Sequence, residues 1–228
     1  MMSSSFKLRV LSAAVLLPAT VFVVFTGGMI FKIFVALAFG IAVKEWIRMA
    51  AKSGHIIRDA LLGLVYIFIG FFSFILMRTE YEHGLFYVIV LLLGVWGSDS
   101  FAYFSGKWIG GAKLAPKISP NKTWAGLIGG TLGSASILLA IDFLAPRYGG
   151  VIGLDVPAFA SLPVAFAIGA LITVFGQIGD LFISAYKRKV GVKDTGTLIP
   201  GHGGLLDRID SLILVTPLFL LFVMEINR

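Results

Sequence analysis

The sequence predicts an all-α fold, a polytopic integral membrane bundle of about seven transmembrane helices. Of the 228 residues, 58% are hydrophobic and only 14% are charged, whereas about a quarter of the residues in a soluble domain are charged. The mean hydropathy is +0.96, and the apolar residues fall into runs near the ~20 residues that a spanning helix needs. The chain has no Cys, which excludes disulfides, thiolate metal sites and Cys nucleophiles.

The apolar runs give the helices in chain order. The first run, 8–28, indicates an uncleaved helix, because it is longer than a signal-peptide core and lacks a clear A-x-A cleavage site. The run at 85–105 is the least regular, because WGSDSFAYFSG interrupts it. The other runs are approximately 29–47, 60–77, 124–144, 161–184 and 210–226.

We expect one membrane domain over residues 1–228. Residues 1–95 form its N-terminal helices, and 96–228 its catalytic part, with polar cytoplasmic loops at 106–123 and 185–209.

The distribution of Lys and Arg predicts the orientation. With the N-terminus in the cytoplasm, fifteen of the 19 Lys and Arg fall on the cytoplasmic side. The outer side receives only Lys32, Arg78, Arg147 and Arg228, in or near short loops such as 146–157. The positive-inside rule therefore favours an N-in, C-out topology. The net charge of +7 fits cytoplasmic loops and anionic lipid or phosphate contacts better than nucleic acid.

Three aspartates are predicted to converge at the cytoplasmic ends of the last two helices. Asp180 shares a helix face with Gln177 and Ser184, and Asp207 lies three residues before Asp210. Carboxylates are costly in hydrocarbon and normally face the bundle interior or water. Clustered carboxylates repel one another unless a cation joins them, and oxygen ligands favour Mg²⁺. Each Asp could instead be structural, as a helix-dipole partner or an ion-pair partner.

The loop between these helices offers groups that suit phosphate. Gly203 and Gly204, in PGHGG, would let backbone N–H groups approach an anion closely. His202 could donate to phosphate or transfer a proton, although an isolated His is more often a turn residue. The loop's charge alone would also fit lipid headgroups. The charge-assisted donors are Lys187, Arg188, Lys193 and Arg208.

The other polar loop, GGAKLAPKISPNKTWAG, adds a second surface that attracts anions. Pro116 and Pro120 stop helices and stiffen the chain. Upstream, Asp99 either lines the same cavity or ends its span early. The polar residues of this loop are Lys113, Lys117, Ser119, Asn121, Lys122 and Thr123.

Carboxylates facing basic, Gly-rich loops in a membrane cavity indicate metal-assisted phosphoryl or nucleotidyl transfer with a lipid partner. An ion-coupled membrane transporter with a cytoplasmic-side acidic site is the alternative, although its paired interrupted helices are not evident. A lipid-binding scaffold would need the basic residues but not the carboxylates. A CDP-alcohol phosphotransferase would need a D-G-x-x-A-R motif, which the sequence lacks.

Residues 184–210, SAYKRKVGVKDTGTLIPGHGGLLDRID, closely resemble the signature of the phosphatidate cytidylyltransferases, or CDP-diacylglycerol synthases. That signature is S-x-x-K-R, four residues, K-D-x-G, then P-x-H-G-G-x-x-D-R-x-D. DSFAYFSGK, KLAPKISPNKTWAG and QIGDLFIS also resemble motifs of this family, and the resemblance extends over about 95–215. The first 90 residues match mainly in hydropathy and in the KEWIRMA helix end.

The resemblance implies the reaction of CTP with phosphatidate to give CDP-diacylglycerol and pyrophosphate. It also implies Mg²⁺ as cofactor, leaves a second cation open, and is compatible with a homodimer. We expect a multi-pass protein of the bacterial inner membrane, with its active site facing the cytoplasm and no nucleic-acid partner.

The predicted site has three groups of residues. The predicted metal ligands are Asp180, Asp207 and Asp210. The predicted catalytic residues are Lys187, Arg188, Lys193, Asp194, His202 and Arg208. The predicted substrate-binding residues are Asp99, Lys117, Ser119, Asn121, Lys122, Gln177, Ser184, Gly203 and Gly204.

Overall fold

A computed structural model describes residues 4–149 and 161–227, which form seven α-helices and one short β-hairpin. Five helices in this part of the chain are long and apolar enough to cross a membrane. The predicted all-α polytopic membrane bundle is therefore confirmed. The elements are α1 (Ser4–Thr26), α2 (Gly28–Ala50), α3 (Ile56–Thr79), α4 (Gly84–Trp108), β1 (Lys113–Ala115), β2 (Ser119–Thr123), α5 (Trp124–Tyr148), α6 (Leu162–Lys189) and α7 (Leu206–Ile226).

The first two helices are the least typical spans. Only Val10–Thr26 of α1 forms a continuous apolar segment, and α2 carries four charged residues, among them Glu45. Gly27 and Gly28 join the two helices directly and take positive φ angles of 65° and 54°, a region that favours glycine. Arg78 of α3 donates from Nε to the carbonyl of Val24 at 3.1 Å, which ties α3 to the end of α1.

Small residues let α4 and α5 pack closely. A Cβ atom added at Gly126 would lie 2.9 Å from the carbonyl oxygen of Ala102, and one added at Gly130 would lie 3.0 Å from that of Ser98. Within lipid, helix association depends on such close packing, since lipid tails are as apolar as the side chains. This contact fixes α4, which carries Asp99, against the helix that follows the hairpin.

Three details differ from the predicted elements. The helix α4 runs without a break through the polar stretch around Asp99 to Trp108, so Asp99 does not end its span. The predicted loop 106–123 contains an antiparallel pair of strands in which Lys113 lies opposite Thr123. The helix α6 extends to Lys189 and α7 begins at Leu206, so Lys187 and Arg188 are helical. Residues 150–160 of the predicted outer loop, and Arg228, lie outside the described residues.

The hairpin and α6 meet at one end of the bundle. Lys122 of β2 forms an ion pair with Asp180 of α6. At the same end, Glu45 of α2 accepts hydrogen bonds from the start of α7, and Asp59 of α3 pairs with Lys189 at 2.9 Å. Four elements, α2, α3, β2 and α6, therefore contribute these charged side chains to this end of the molecule.

Candidate active site

A polar cavity of about 330 Å³ opens between α4, α6, α7 and the loop that precedes α7. It contains most of the charged residues that the sequence singled out, including all three predicted metal ligands. Ser211 lines it too and was not predicted. The lining residues are Asp99, Asp180, Lys187, Asp194, Asp207, Arg208, Asp210 and Ser211.

Asp180 enters the cavity from α6 and is held by two partners. The hydroxyl of Ser184 donates to Asp180 Oδ1 at 3.0 Å, as the four-residue spacing predicted. Lys122 forms an ion pair with the other carboxylate oxygen, and the side chains of Lys122 and Asp180 are 15% and 30% exposed. Asp180 is thus the carboxylate that connects the hairpin to the cavity.

Asp207, in the first turn of α7, is surrounded by donors. Its Oδ1 accepts from Lys187 Nζ at 2.6 Å. Its Oδ2 accepts from the backbone N–H of Thr195 at 2.8 Å, from the Thr195 hydroxyl at 3.0 Å and from the backbone N–H of Gly204 at 2.9 Å. A carboxylate offers about four acceptor positions, so these four donors nearly saturate Asp207. It fixes both the loop and the ammonium group of Lys187.

Asp210 lies beside Asp180 because α6 and α7 touch at a glycine. A Cβ atom added at Gly179 would lie only 2.7 Å from the carbonyl oxygen of Asp210. Five carboxylates and two cationic side chains line the cavity, and Lys122 adds a third positive charge at its edge. With all carboxylates ionised, the cavity is therefore negatively charged before any phosphate enters.

Within the described ranges, no group of three or more His, Cys, Asp or Glu side chains is placed to hold a metal ion. Asp180 is engaged by Lys122 and Ser184, and Asp207 by its four donors. Mg²⁺, however, is often held by one or two carboxylates together with substrate phosphates and water. The oxygen donors around the cavity fit that kind of site, and they do not form a cage of protein ligands alone.

The glycines of PGHGG approach an anion that belongs to the protein itself. Gly203 has a φ of 88°, and a Cβ atom there would lie 2.7 Å from Asp207 Oδ2. The N–H of Gly204 donates to the same oxygen. In this structure the two glycines serve the Asp207 carboxylate.

Several predicted residues do not line the polar cavity. Arg188, Lys193, Lys117 and Asn121 are exposed, while Gln177 and Ser119 are partly buried. Arg188 donates to the carbonyl of Val192 at 3.4 Å.

A second cavity, of about 450 Å³ and mainly apolar lining, lies between α1, α2, α3, α4 and α7. His202 lines this cavity. Asp99 and Arg208 line both cavities, so the apolar space and the charged space meet at these two side chains.

Sequence reasoning missed two buried acids at this end of the bundle. Glu45 and Asp59 are each 3% exposed. Asp59 accepts from Arg58 Nε at 2.9 Å, Lys189 Nζ at 2.9 Å and the Tyr186 hydroxyl at 3.2 Å. The available signal was the position of each acid beside an apolar helical run, where an ionised side chain needs a partner.

Comparisons with known proteins give the family of the chain. A model of the cytidylyltransferase family matches residues 56–225. A phosphatidate cytidylyltransferase from Rickettsia conorii is 37% identical over 223 residues, which cover 98% of this chain and 92% of the relative. The Rickettsia prowazekii enzyme is 38% identical over 93% of this chain and 89% of its own length. The Brucella abortus enzyme is 41% identical over 70% of this chain and 55% of its own length. The chain therefore belongs to the cytidylyltransferase family, as the resemblance of residues 184–210 predicted.

Proposed function

We propose that the protein transfers the cytidylyl group of CTP to phosphatidate, giving CDP-diacylglycerol and pyrophosphate. The observation that carries this proposal is the meeting of a charged cavity and an apolar cavity at Asp99 and Arg208. A reaction between a nucleotide and a lipid needs a polar space and an apolar space that reach one point. The names of the relatives supply the two substrates.

The apolar cavity suits the acyl chains of phosphatidate. Its walls include Leu16 and Leu17 of α1, Phe71 and Phe74 of α3, and Leu212 of α7. Burying hydrocarbon against such walls contributes about 25 cal/mol per Å² of apolar surface. With the acyl chains in the apolar cavity, Arg208, which lines both cavities, would bind the lipid phosphate, since a guanidinium group binds phosphate with two parallel hydrogen bonds.

The reaction needs no nucleophilic side chain. A phosphate oxygen of phosphatidate attacks the α-phosphorus of CTP, and the bond from that phosphorus to the oxygen bridging to the β-phosphorus breaks. Pyrophosphate leaves with the electron pair of that bond. The main barrier is repulsion between two polyanions, so positive charge near the reacting phosphates lowers it. Lys187, fixed by Asp207 at the wall of the polar cavity, is placed to supply such charge.

We propose Mg²⁺ as the cofactor, because the negatively charged cavity would otherwise repel CTP. Bound there, the ion would neutralise charge on the phosphates and on the leaving pyrophosphate. Of the three predicted ligands, Asp180 and Asp210 fit direct coordination best, with Asp99 nearby. The four donors on Asp207 favour a role in orienting Lys187.

We also propose that this end of the bundle faces the cytoplasm of a bacterial inner membrane. The Lys and Arg at the meeting point of α2, α3, the hairpin, α6 and α7 fit the positive-inside rule. CTP and Mg²⁺ are available on that side.

The proposal is tested with the purified protein in mixed micelles containing phosphatidate. CDP-diacylglycerol formation is measured with CTP, with and without Mg²⁺, for the wild type, Asp207→Asn and Asp210→Asn. Glu82→Gln, an exposed acid in the turn between α3 and α4, is the control.

We expect activity that requires both CTP and Mg²⁺, and an unchanged rate for Glu82→Gln. Asp207→Asn removes the charge that fixes Lys187, so turnover should fall by a factor of about 100 to 1,000, equivalent to about 3–4 kcal/mol of activation free energy. Asp210→Asn tests the site if Asp207→Asn fails to fold. Near-normal turnover in both variants would remove these carboxylates from the reaction, and a wild type without CTP-dependent lipid product would contradict the proposed function.

A further inference from the structure

Glu45 is a buried acid outside both cavities, near the end of α2. Its side chain accepts three hydrogen bonds, all from residues far along the chain. Oε1 accepts from the N–H of Leu205 at 2.9 Å, while Oε2 accepts from the N–H of Leu206 and from the hydroxyl of Thr195, each at 2.9 Å. Glu45 therefore holds both the middle and the end of the loop that connects α6 to α7.

Glu45 and Asp207 hold the same segment from opposite sides. The Thr195 hydroxyl lies between them, 2.9 Å from Glu45 Oε2 and 3.0 Å from Asp207 Oδ2, and its single proton is shared between the two carboxylates. Asp207 in turn binds Lys187 Nζ at 2.6 Å. A continuous chain of contacts thus runs from Glu45 through Thr195 and Asp207 to Lys187, which lines the polar cavity.

Two loop glycines are required by the position of Glu45. A Cβ atom at Gly196 would lie 2.7 Å from Glu45 Oε1. A Cβ atom at Gly204 would collide with both Glu45 carboxylate oxygens and with the Thr195 hydroxyl. Any side chain at either position would push Glu45 away, so the loop sequence is fitted to this carboxylate.

We propose that Glu45 is a positioning residue for the reaction. It holds residues 195–206 in the one arrangement in which Asp207 keeps Lys187 at the wall of the polar cavity. The inference rests on the proposed function for its kinetic readout. The alternative is a purely structural role, in which Glu45 caps the N-terminus of α7 and stabilises the fold without affecting the position of Lys187.

The two roles are separated with Glu45→Gln, Thr195→Val and the double variant in the full-length protein. Gln keeps the size of Glu45 but turns an N–H₂ group toward donors, while Val removes only the linking hydroxyl. Glu82→Gln is the matched control, since it makes the same change at an exposed site. Two quantities are measured: kcat/KM for CTP, and hydrogen–deuterium exchange of peptides spanning 194–206.

We expect each single variant to lower kcat/KM by about 10- to 100-fold. The kcat/KM of the double variant should lie within about twofold of that of the less active single variant, because the effects of residues that act as a unit are not additive. Exchange at Leu205 or Leu206 should become at least about tenfold faster in Glu45→Gln, since one of the two amides then faces an N–H₂ group instead of an acceptor. The control should match the wild type in both measurements.

Four results would overturn the proposal. Faster exchange in Glu45→Gln with wild-type kcat/KM would reduce Glu45 to a helix cap. Independent, multiplying losses in the double variant would break the chain of contacts through Thr195. Unchanged exchange in Glu45→Gln would show that Glu45 does not hold the loop, and this reading stands even if the wild type shows no cytidylyl transfer. If Glu45→Gln fails to fold, the kinetics of Thr195→Val alone test the proposal. A wild-type kcat/KM in Thr195→Val would then contradict the positioning role of Glu45.

Discussion

At the scale of single residues, the buried acids of this protein differ by the partners that hold them. Burying a carboxylate costs several kcal/mol unless donors compensate it. Asp207 and Glu45 share the one donor of the Thr195 hydroxyl. Asp207 has three further donors, Glu45 has two backbone N–H donors, and Asp59 has bonds to Arg58, Lys189 and Tyr186. Acids held in this way keep a fixed geometry. Asp180 and Asp210, by contrast, line the polar cavity and accept fewer hydrogen bonds.

The Lys122–Asp180 ion pair should govern the affinity for CTP. In Lys122→Gln the cavity loses a positive charge at its edge, so repulsion of the triphosphate grows. We expect KM for CTP to rise about tenfold, equivalent to about 1.4 kcal/mol, with a smaller change in kcat. Steady-state kinetics at varied CTP measure this, and Lys113→Gln, an exposed residue of the same hairpin, is the control. Equal KM values for the two variants would contradict a role of Lys122 in binding CTP.

The sequence alone predicted that Asp180, Asp207 and Asp210 lie together, because helical spacing and the ends of the apolar runs determine their positions. It could not reveal Glu45, whose hydrogen-bond partners lie 150 and 161 residues further along the chain. No local pattern encodes such a contact. Gly203 and Gly204 of PGHGG were predicted to approach a substrate phosphate, and in the structure they lie against the Asp207 carboxylate. A backbone that fits a phosphate also fits a carboxylate of the protein.

At the scale of elements, polar residues inside an apolar run did not end the helix. Asp99 lies in the middle of WGSDSFAYFSG, yet α4 is continuous to Trp108, since its polar side chain lines the cavity while its backbone bonds remain internal. The hairpin of β1 and β2 was not predicted; Pro116 and Pro120 were interpreted only as residues that stop helices and stiffen the loop. Pro120 is tolerated in an edge strand, where a missing N–H costs little.

The close contact of α4 and α5 should be sensitive to a single methyl group. In Gly126→Ala the new Cβ would lie 2.9 Å from the Ala102 carbonyl oxygen, so we expect a loss of about 1–3 kcal/mol from overpacking. In Gly40→Ala the new Cβ meets nothing within 4 Å, and the helix should be stabilised by about 0.5–1 kcal/mol. Thermal unfolding in detergent measures both. A Gly126→Ala variant as stable as Gly40→Ala would show that the helices are not in close contact.

At the scale of the whole molecule, a charged cavity lies beside an apolar cavity, as the proposed reaction between a nucleotide and a lipid requires. The charged residues gather where the helix ends meet, and the apolar cavity lies alongside, between the N-terminal helices and α7. The hydropathy pattern predicted the bundle and its polar end. It could not predict that the first helices form a wall of the apolar cavity, because that depends on how α1 and α2 pack against α7.

The proposed orientation has a direct test, since the chain contains no Cys. Single substitutions Lys193→Cys and Glu82→Cys, both at exposed positions, place one thiol near each end of the bundle. In intact bacterial cells with a permeable outer membrane, a membrane-impermeant maleimide should label Glu82→Cys and should label Lys193→Cys only after lysis. The reverse pattern would place the polar cavity outside the cytoplasm.

The most direct test of the proposed chemistry uses CTP labelled with ³²P at either the α- or the γ-phosphate. We expect the α-label to appear in the chloroform-soluble lipid and the γ-label in pyrophosphate, in equal amounts, when phosphatidate is present. A γ-label in the lipid, or release of pyrophosphate without α-labelled lipid, would contradict cytidylyl transfer.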